Sequence, residues 1–277
     1  MSSLPGPTRR EFLVQCATAA GVLLCSGSKP LFGANRGPDL HFPNQPRERI
    51  AIASYPFRNF IAGEDNKSSH PLDLKDFAAH VIDKYNINKI EPWTGHFPST
   101  DPKYLDQFRA ALGKAKGMVV NIAVDGEHSP YALDRSEREQ AVAFSKRWID
   151  AAAAISSPSV RTNIPPAKDS KPDLNRTTES LRRVVEYAET KHVVVNLEND
   201  NPVSEDPFFL IQIIKKVDSP WLHALPDFGN TLFDLARTFG FAKAHGYKGY
   251  FSMEFDSPGD PYSGTKELID KTVRYLS

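Results

Sequence analysis

Three acidic residues are placed to do chemistry together: Glu198, Asp227 and Glu254. Each closes an apolar run of strand character, in Val193–Glu198, Leu222–Asp227 and Tyr247–Glu254. Side chains alternate along a strand. Glu198 therefore shares a face with Asn196 and Val194, and Asp227 with Leu225 and His223. Glu254 lies with Ser252 and Tyr250, opposite Phe251, Met253 and Phe255. The apolar faces must pack against helices, which turns the carboxylates inward. A lone glutamate at a strand end is often a salt-bridge or rim residue, and Asp227 in Pro226-Asp227-Phe228-Gly229-Asn230 suits the start of a turn. Matched parity on three strands favours a shared site. Converging carboxylates repel unless protons or a cation intervene. Hard oxygen ligands suit Mn²⁺ or Mg²⁺ first, with Co²⁺ or Zn²⁺ as further options. Such an ion can bridge adjacent hydroxyl and carbonyl oxygens of a sugar and acidify the C–H between them. A ligand carboxylate can then carry the proton.

The elements that must position these groups alternate in type. Strands are predicted over 49–57, 88–93, 118–124, 159–164, 193–197, 222–226 and 247–255. Helices are predicted over 72–85, 102–116, 136–155, 174–190, 207–217, 233–245 and 266–275. Strict alternation implies a parallel sheet covered by helices. No glycine-rich phosphate loop follows the first strand, as a dinucleotide-binding sheet would require. Polar residues instead end many strands: Arg58, His96, Asp125, Asn163, Glu198, Asp227 and Glu254. That distribution fits an α/β, TIM-type (β/α) barrel, whose site is built from loops at the C-terminal rim. Seven strands are predicted, one fewer than a full barrel holds.

Around this domain, residues 49–277, the sequence carries two further segments. Thr8-Arg9-Arg10-Glu11-Phe12-Leu13 is a twin-arginine pattern, followed by a short apolar stretch over 14–24. Residues 1–34 therefore read as a Tat signal peptide and 35–48 as a linker. The expected location is periplasmic or secreted, with the Tat translocase as partner during export. Both cysteines, Cys16 and Cys25, fall in the leader, which removes disulfide and thiolate chemistry from the remainder. The chain has 34 basic and 34 acidic residues, giving no electrostatic reason to expect nucleic acid. No apolar run after the leader is long enough to span a membrane.

At the carboxylate motifs a family resemblance becomes specific. Asn196-Leu197-Glu198-Asn199, Leu225-Pro226-Asp227-Phe228-Gly229-Asn230 and the segment 246–255 look like successive strand motifs of the xylose isomerase-like TIM barrel superfamily, many of whose members are called sugar phosphate isomerase/epimerase. Ser54-Tyr55-Pro56-Phe57-Arg58 is similar to the family's first strand, and Ile90-Glu91-Pro92-Trp93 with His96-Phe97 to its second. The resemblance runs from about Ile50 to the C-terminus. It implies a divalent-metal-dependent isomerase or epimerase acting on a carbohydrate. Glu198 and Glu254 would bind the ion and exchange protons, and Asp227 would be a pure ligand. His96, Asn230 and Arg58 would contact substrate.

The pattern breaks in one place. The family's fourth ligand is a histidine on a strand between the Asp and the last Glu, and this sequence has room there for only one helix and one strand. The missing strand and the missing ligand are one omission. His223 lies about 13 Å deeper in the barrel than Asp227, and His192 and His245 precede their strands, at the opposite end. His96 and His128 are left as substitutes. Two other functions follow if the site is weakened or reused: a non-catalytic carbohydrate-binding barrel, or a metal-dependent lyase or hydrolase. Free or oxidised sugars suit an exported protein better than sugar phosphates.

Overall fold

The computed structural model describes residues 37–200, 203–204, 206–229 and 235–277. The predicted leader and Asn230 lie outside them. Among these residues are eight short strands, separated by helices except between the third and fourth: β1 (Ile50–Ala53), β2 (Lys89–Glu91), β3 (Met118–Val119), β4 (Ile122–Val124), β5 (Ser159–Thr162), β6 (Val194–Glu198), β7 (Leu222–Leu225) and β8 (Phe251–Met253). The helices are α1 (Phe77–Tyr85), α2 (Pro102–Ala115), α3 (Arg135–Ala154), α4 (Leu174–Thr190), α5 (Pro207–Val217), α6 (Leu235–Ala244) and α7 (Pro261–Leu276). Their N-termini are set locally. The Asp134, Asp173, Asp206 and Asp260 side chains accept from first-turn amides, and a proline opens α2, α5 and α7, where its fixed φ and missing N–H fit. The Asp260 cap and Pro261 start α7 five residues before the predicted Lys266.

All strand pairs are parallel, in the orders β3-β2-β1-β8 and β4-β5-β6-β7. The two sheets are joined, because β3 and β4 are halves of the single strand predicted over 118–124. Val120 N–H donates to Ile90 O at 3.0 Å and Ala123 N–H to Pro92 O at 2.9 Å, so both halves follow β2. The extra strand is thus an interruption of one of the seven predicted and not an eighth barrel strand. Asn121 explains the break. Its side chain turns inward, where Nδ2 donates to Glu91 Oε2 at 2.8 Å and Oδ1 lies 2.6 Å from Ser159 Oγ. These bonds replace ladder pairing at that point.

β7 and β8 share no ladder among the described residues. They are the two outer edges of the joined sheet, at the place where the sequence lacks a unit. The strands' outward faces bury Ile52, Ile90, Val160, Val195, Leu197 and Met253 under the helices. Such two-sided burial is expected of a parallel sheet. Among the described residues no helix is long and apolar enough to cross a membrane.

Candidate active site

Strand register assembles the site. On β5, Arg161 is level with Ala123 and Asn196. Asp125 and Glu198 stand two residues further along, on the neighbouring strands and on Arg161's own face. A long side chain leaning along the strand reaches both. Arg161 Nε is 3.0 Å from Glu198 Oε2, and Nη1 donates to Asp125 Oδ1. The other Asp125 oxygen accepts from Trp93 Nε1 at 2.6 Å. Across the mouth, Ala53 is level with Glu91, and continuing the β1–β8 register by one residue sets Glu254 beside it. The small Ala53 side chain leaves Glu91 and Glu254 to face the interior from either side.

The site holds one guanidinium among several carboxyl groups, and the proton affinities follow. Arg161 and Glu198 are only 7% and 6% exposed. Burial pushes Glu198 up to about 9; Arg161 pulls it down, but Asp227, Glu254 and Glu91 reinforce the rise. Burial likewise pushes Glu254 up to about 8, with Glu91, Asp227 and Asp125 adding to it against Arg161. Glu91, 6% exposed, is raised chiefly by burial, while Arg161, the Asn121 amide and the Ser252 hydroxyl pull the other way. For Arg161, burial opposes the charge, and Glu198, Asp125, Glu91 and Glu254 together outweigh it and raise the group. It is therefore cationic at any working pH. Carboxyl groups crowded in this way share protons, so the site can both take and return one.

The remaining predicted residues have distinct places. Asp227 is fixed in a turn: its amide donates to Asn199 Oδ1 at 2.7 Å, and its Oδ1 accepts from Gly229 N–H at 2.6 Å. Arg58 lies over the Tyr55 ring at 4.3 Å and pairs with Asp256 at 3.0 Å, on the outer rim. His96 sits beneath the rim at 2% exposure. The Ser54 hydroxyl accepts from Trp93 N–H at 2.8 Å and is hydrogen-bonded to His96 Nδ1, also at 2.8 Å. His96 Nε2 is buried without a partner among the described residues.

The donor types suit a hard divalent ion, but the arrangement does not. Among the described residues no three His, Cys, Asp or Glu side chains come together as a ligand set. Glu198 turns an oxygen to Arg161 instead. The two candidate replacement histidines do not complete a set: His96 is bound to Ser54, and His128 Nδ1 lies 3.2 Å from Glu137 Oε2. Arg161, Glu91 and Asn121 were not among the predicted site residues. Arg161 had a signal, since a charge inside the run Ser159-Val160-Arg161-Thr162 demands buried partners. Glu91 closes its strand much as Glu198 does.

Residues 80–236 match the family described as Xylose isomerase-like TIM barrel. The curated proteins give no match. Among solved structures, D-psicose 3-epimerase from Clostridium cellulolyticum H10 is similar at 14% identity, with a TM-score of 0.61 over 82% of this chain and 96% of that one. The 3-keto-D-glucoside 4-epimerase of E. coli is also 14% identical, with a TM-score of 0.61 over 80% and 99%. A xylose isomerase-like TIM barrel protein from Mycobacterium smegmatis, in complex with magnesium, is 16% identical, with a TM-score of 0.58 over 89% and 100%.

Proposed function

The chain belongs to the xylose isomerase-like TIM barrel family, and from that premise we propose that it is a carbohydrate isomerase or epimerase. The observation that carries the reading is the placing of two inward carboxyl groups, Glu198 and Glu254, around the buried guanidinium of Arg161 at the C-terminal end of the sheet. The resemblance to two sugar epimerases supports a carbohydrate substrate over the binding-only and lyase readings.

The reaction needs an open-chain sugar with a carbonyl at the mouth. An ionised glutamate takes the proton from the carbon beside the carbonyl. The C–H electron pair moves into an enediolate, and the charge gathering on oxygen faces Arg161. The second carboxyl, still protonated, returns a proton. Delivery to the opposite face of the same carbon gives the epimer; delivery to the neighbouring carbon, with the hydroxyl proton passing to the former carbonyl oxygen, gives the isomer. Such positioned proton transfer contributes about 10²–10⁴ in rate. In a metal-assisted form of the same chemistry, Glu198, Asp227 and Glu254 would be the residues to hold Mn²⁺ or Mg²⁺, but their present arrangement does not suit that role.

The test is incubation of the purified protein in D₂O with a panel of free ketohexoses and keto-glycosides, read by NMR. Deuterium should appear at the carbon beside the carbonyl, together with a new epimer or isomer. No incorporation into any sugar, with or without added Mn²⁺ or Mg²⁺, would sink the reading. The reading includes Tat-dependent export to the periplasm, supported by Arg9-Arg10 and its context. Replacing both arginines with lysine should retain the protein in the cytoplasmic fraction; unchanged export would remove that part.

A further inference from the structure

A charged side chain in the middle of a barrel strand costs far more to bury than an apolar one unless its surroundings compensate it. Arg161 is compensated on two sides. Nε lies against Glu198 and Nη1 against Asp125, and Trp93 Nε1 fixes Asp125 from behind. Glu91 and Glu254 bear on the same guanidinium from across the mouth. No hydrogen bond is made by Nη2 among the described residues, which leaves that N–H for an oxygen of a bound molecule. Two of the three carboxylates that the sequence offers to an ion, Glu198 and Glu254, thus bear on a cation the chain already has. A dication entering beside Glu198 would also meet the positive charge of Arg161 at close range, which opposes its binding.

We propose that the Arg161 guanidinium is the resident cation of this site, neutralising its carboxylates and polarising the substrate carbonyl in the place where a divalent ion would otherwise be needed. A planar fork is suited to this, since it can hold carboxylates through two nitrogens and present the third to a ligand oxygen. The inference deepens the function proposed above by naming its electrophile. Its test reads metal binding, not turnover, so the two can fail separately.

The full chain, stripped of metal, is titrated with MnCl₂ by calorimetry, and its thermal midpoint is followed with EDTA and with MnCl₂. The wild type should show no site tighter than about 1 mM and an unmoved midpoint in either condition. Arg161→Met removes the charge while keeping much of the bulk, and should bind Mn²⁺ at least about tenfold more tightly than the wild type, a step of one decade in Kd. Arg161→Lys keeps the charge and should remain as indifferent to Mn²⁺ as the wild type. One Mn²⁺ bound per wild-type or Arg161→Lys chain in the micromolar range would overturn the proposal. So would a folded Arg161→Met variant with no gain in affinity. Should Arg161→Met fail to fold, the wild-type and Arg161→Lys titrations decide between the same two outcomes.

Discussion

Glu198 and Arg161 stand 3.0 Å apart, yet Glu198 is held up at about 9. One guanidinium divided among several buried carboxyls cannot ionise them all. Burial and the neighbouring carboxyls thus favour the protonated acid at Glu198 in the free protein, and glutamine is its neutral near-isostere. Glu198→Gln should leave unfolding stability at pH 7 within about 1 kcal/mol of the wild type, the scale of one exchanged hydrogen bond. The same change removes a proton carrier, so kcat for isotope exchange should fall about 10²–10⁴-fold. Glu254→Gln should behave alike. Urea unfolding and the D₂O assay on the same preparations separate the two effects. A large loss of stability with exchange intact would show a structural carboxylate and no proton carrier.

At the scale of elements, among the described residues β1 and β6 each have a parallel partner on both sides, whereas β7 and β8 each have one. Backbone amides on an unpaired edge open more readily than those inside a ladder. Amide hydrogen exchange should therefore be at least about tenfold faster in β7 and β8 than in β6 and β1, a difference of roughly 1.4 kcal/mol in opening free energy. Equal protection across all four would mean that the gap between β7 and β8 is bridged. The seven-strand count behind this prediction was legible in the sequence, because apolar runs punctuated by Asp, Pro and Gly give strands and capped helices directly. Inward parity likewise announced Glu198 and Glu254. The interruption at Asn121 was not legible, since it depends on Ser159 and Glu91 arriving from neighbouring strands. Arg161 escaped for the same reason. Its partners are set by register between β4, β5 and β6, and register is a property of the sheet and not of any one segment.

Across the whole molecule, one chain of polar contacts links the rim to the centre of the site. His96 is hydrogen-bonded to Ser54; Ser54 accepts from the Trp93 amide; the Trp93 indole holds Asp125; and Asp125 holds Arg161. The first link titrates. Burial lowers His96 from 6.5 to about 4, with Asp65 raising it and Arg58 lowering it further. The folded protein therefore binds fewer protons at this ring than the unfolded chain does. Its contribution to stability is full above pH 6.5 and is lost as pH falls from there through 4. At pH 5 the loss relative to pH 7.5 is about 2 kcal/mol. His96→Asn keeps a hydrogen-bonding partner for Ser54 and cannot be protonated, so its stability should fall by about 2 kcal/mol less than the wild type's over the same interval. Urea unfolding of both proteins at pH 7.5 and 5.0 measures that difference directly, and the raised carboxyls, present in both, cancel from it. Parallel pH dependence in the two proteins would mean that His96 takes up its proton without disturbing the fold. A difference of the expected size would place the acid-sensitive joint at the point where the β1 and β2 ends support Trp93, and through Trp93 the Asp125–Arg161 pair.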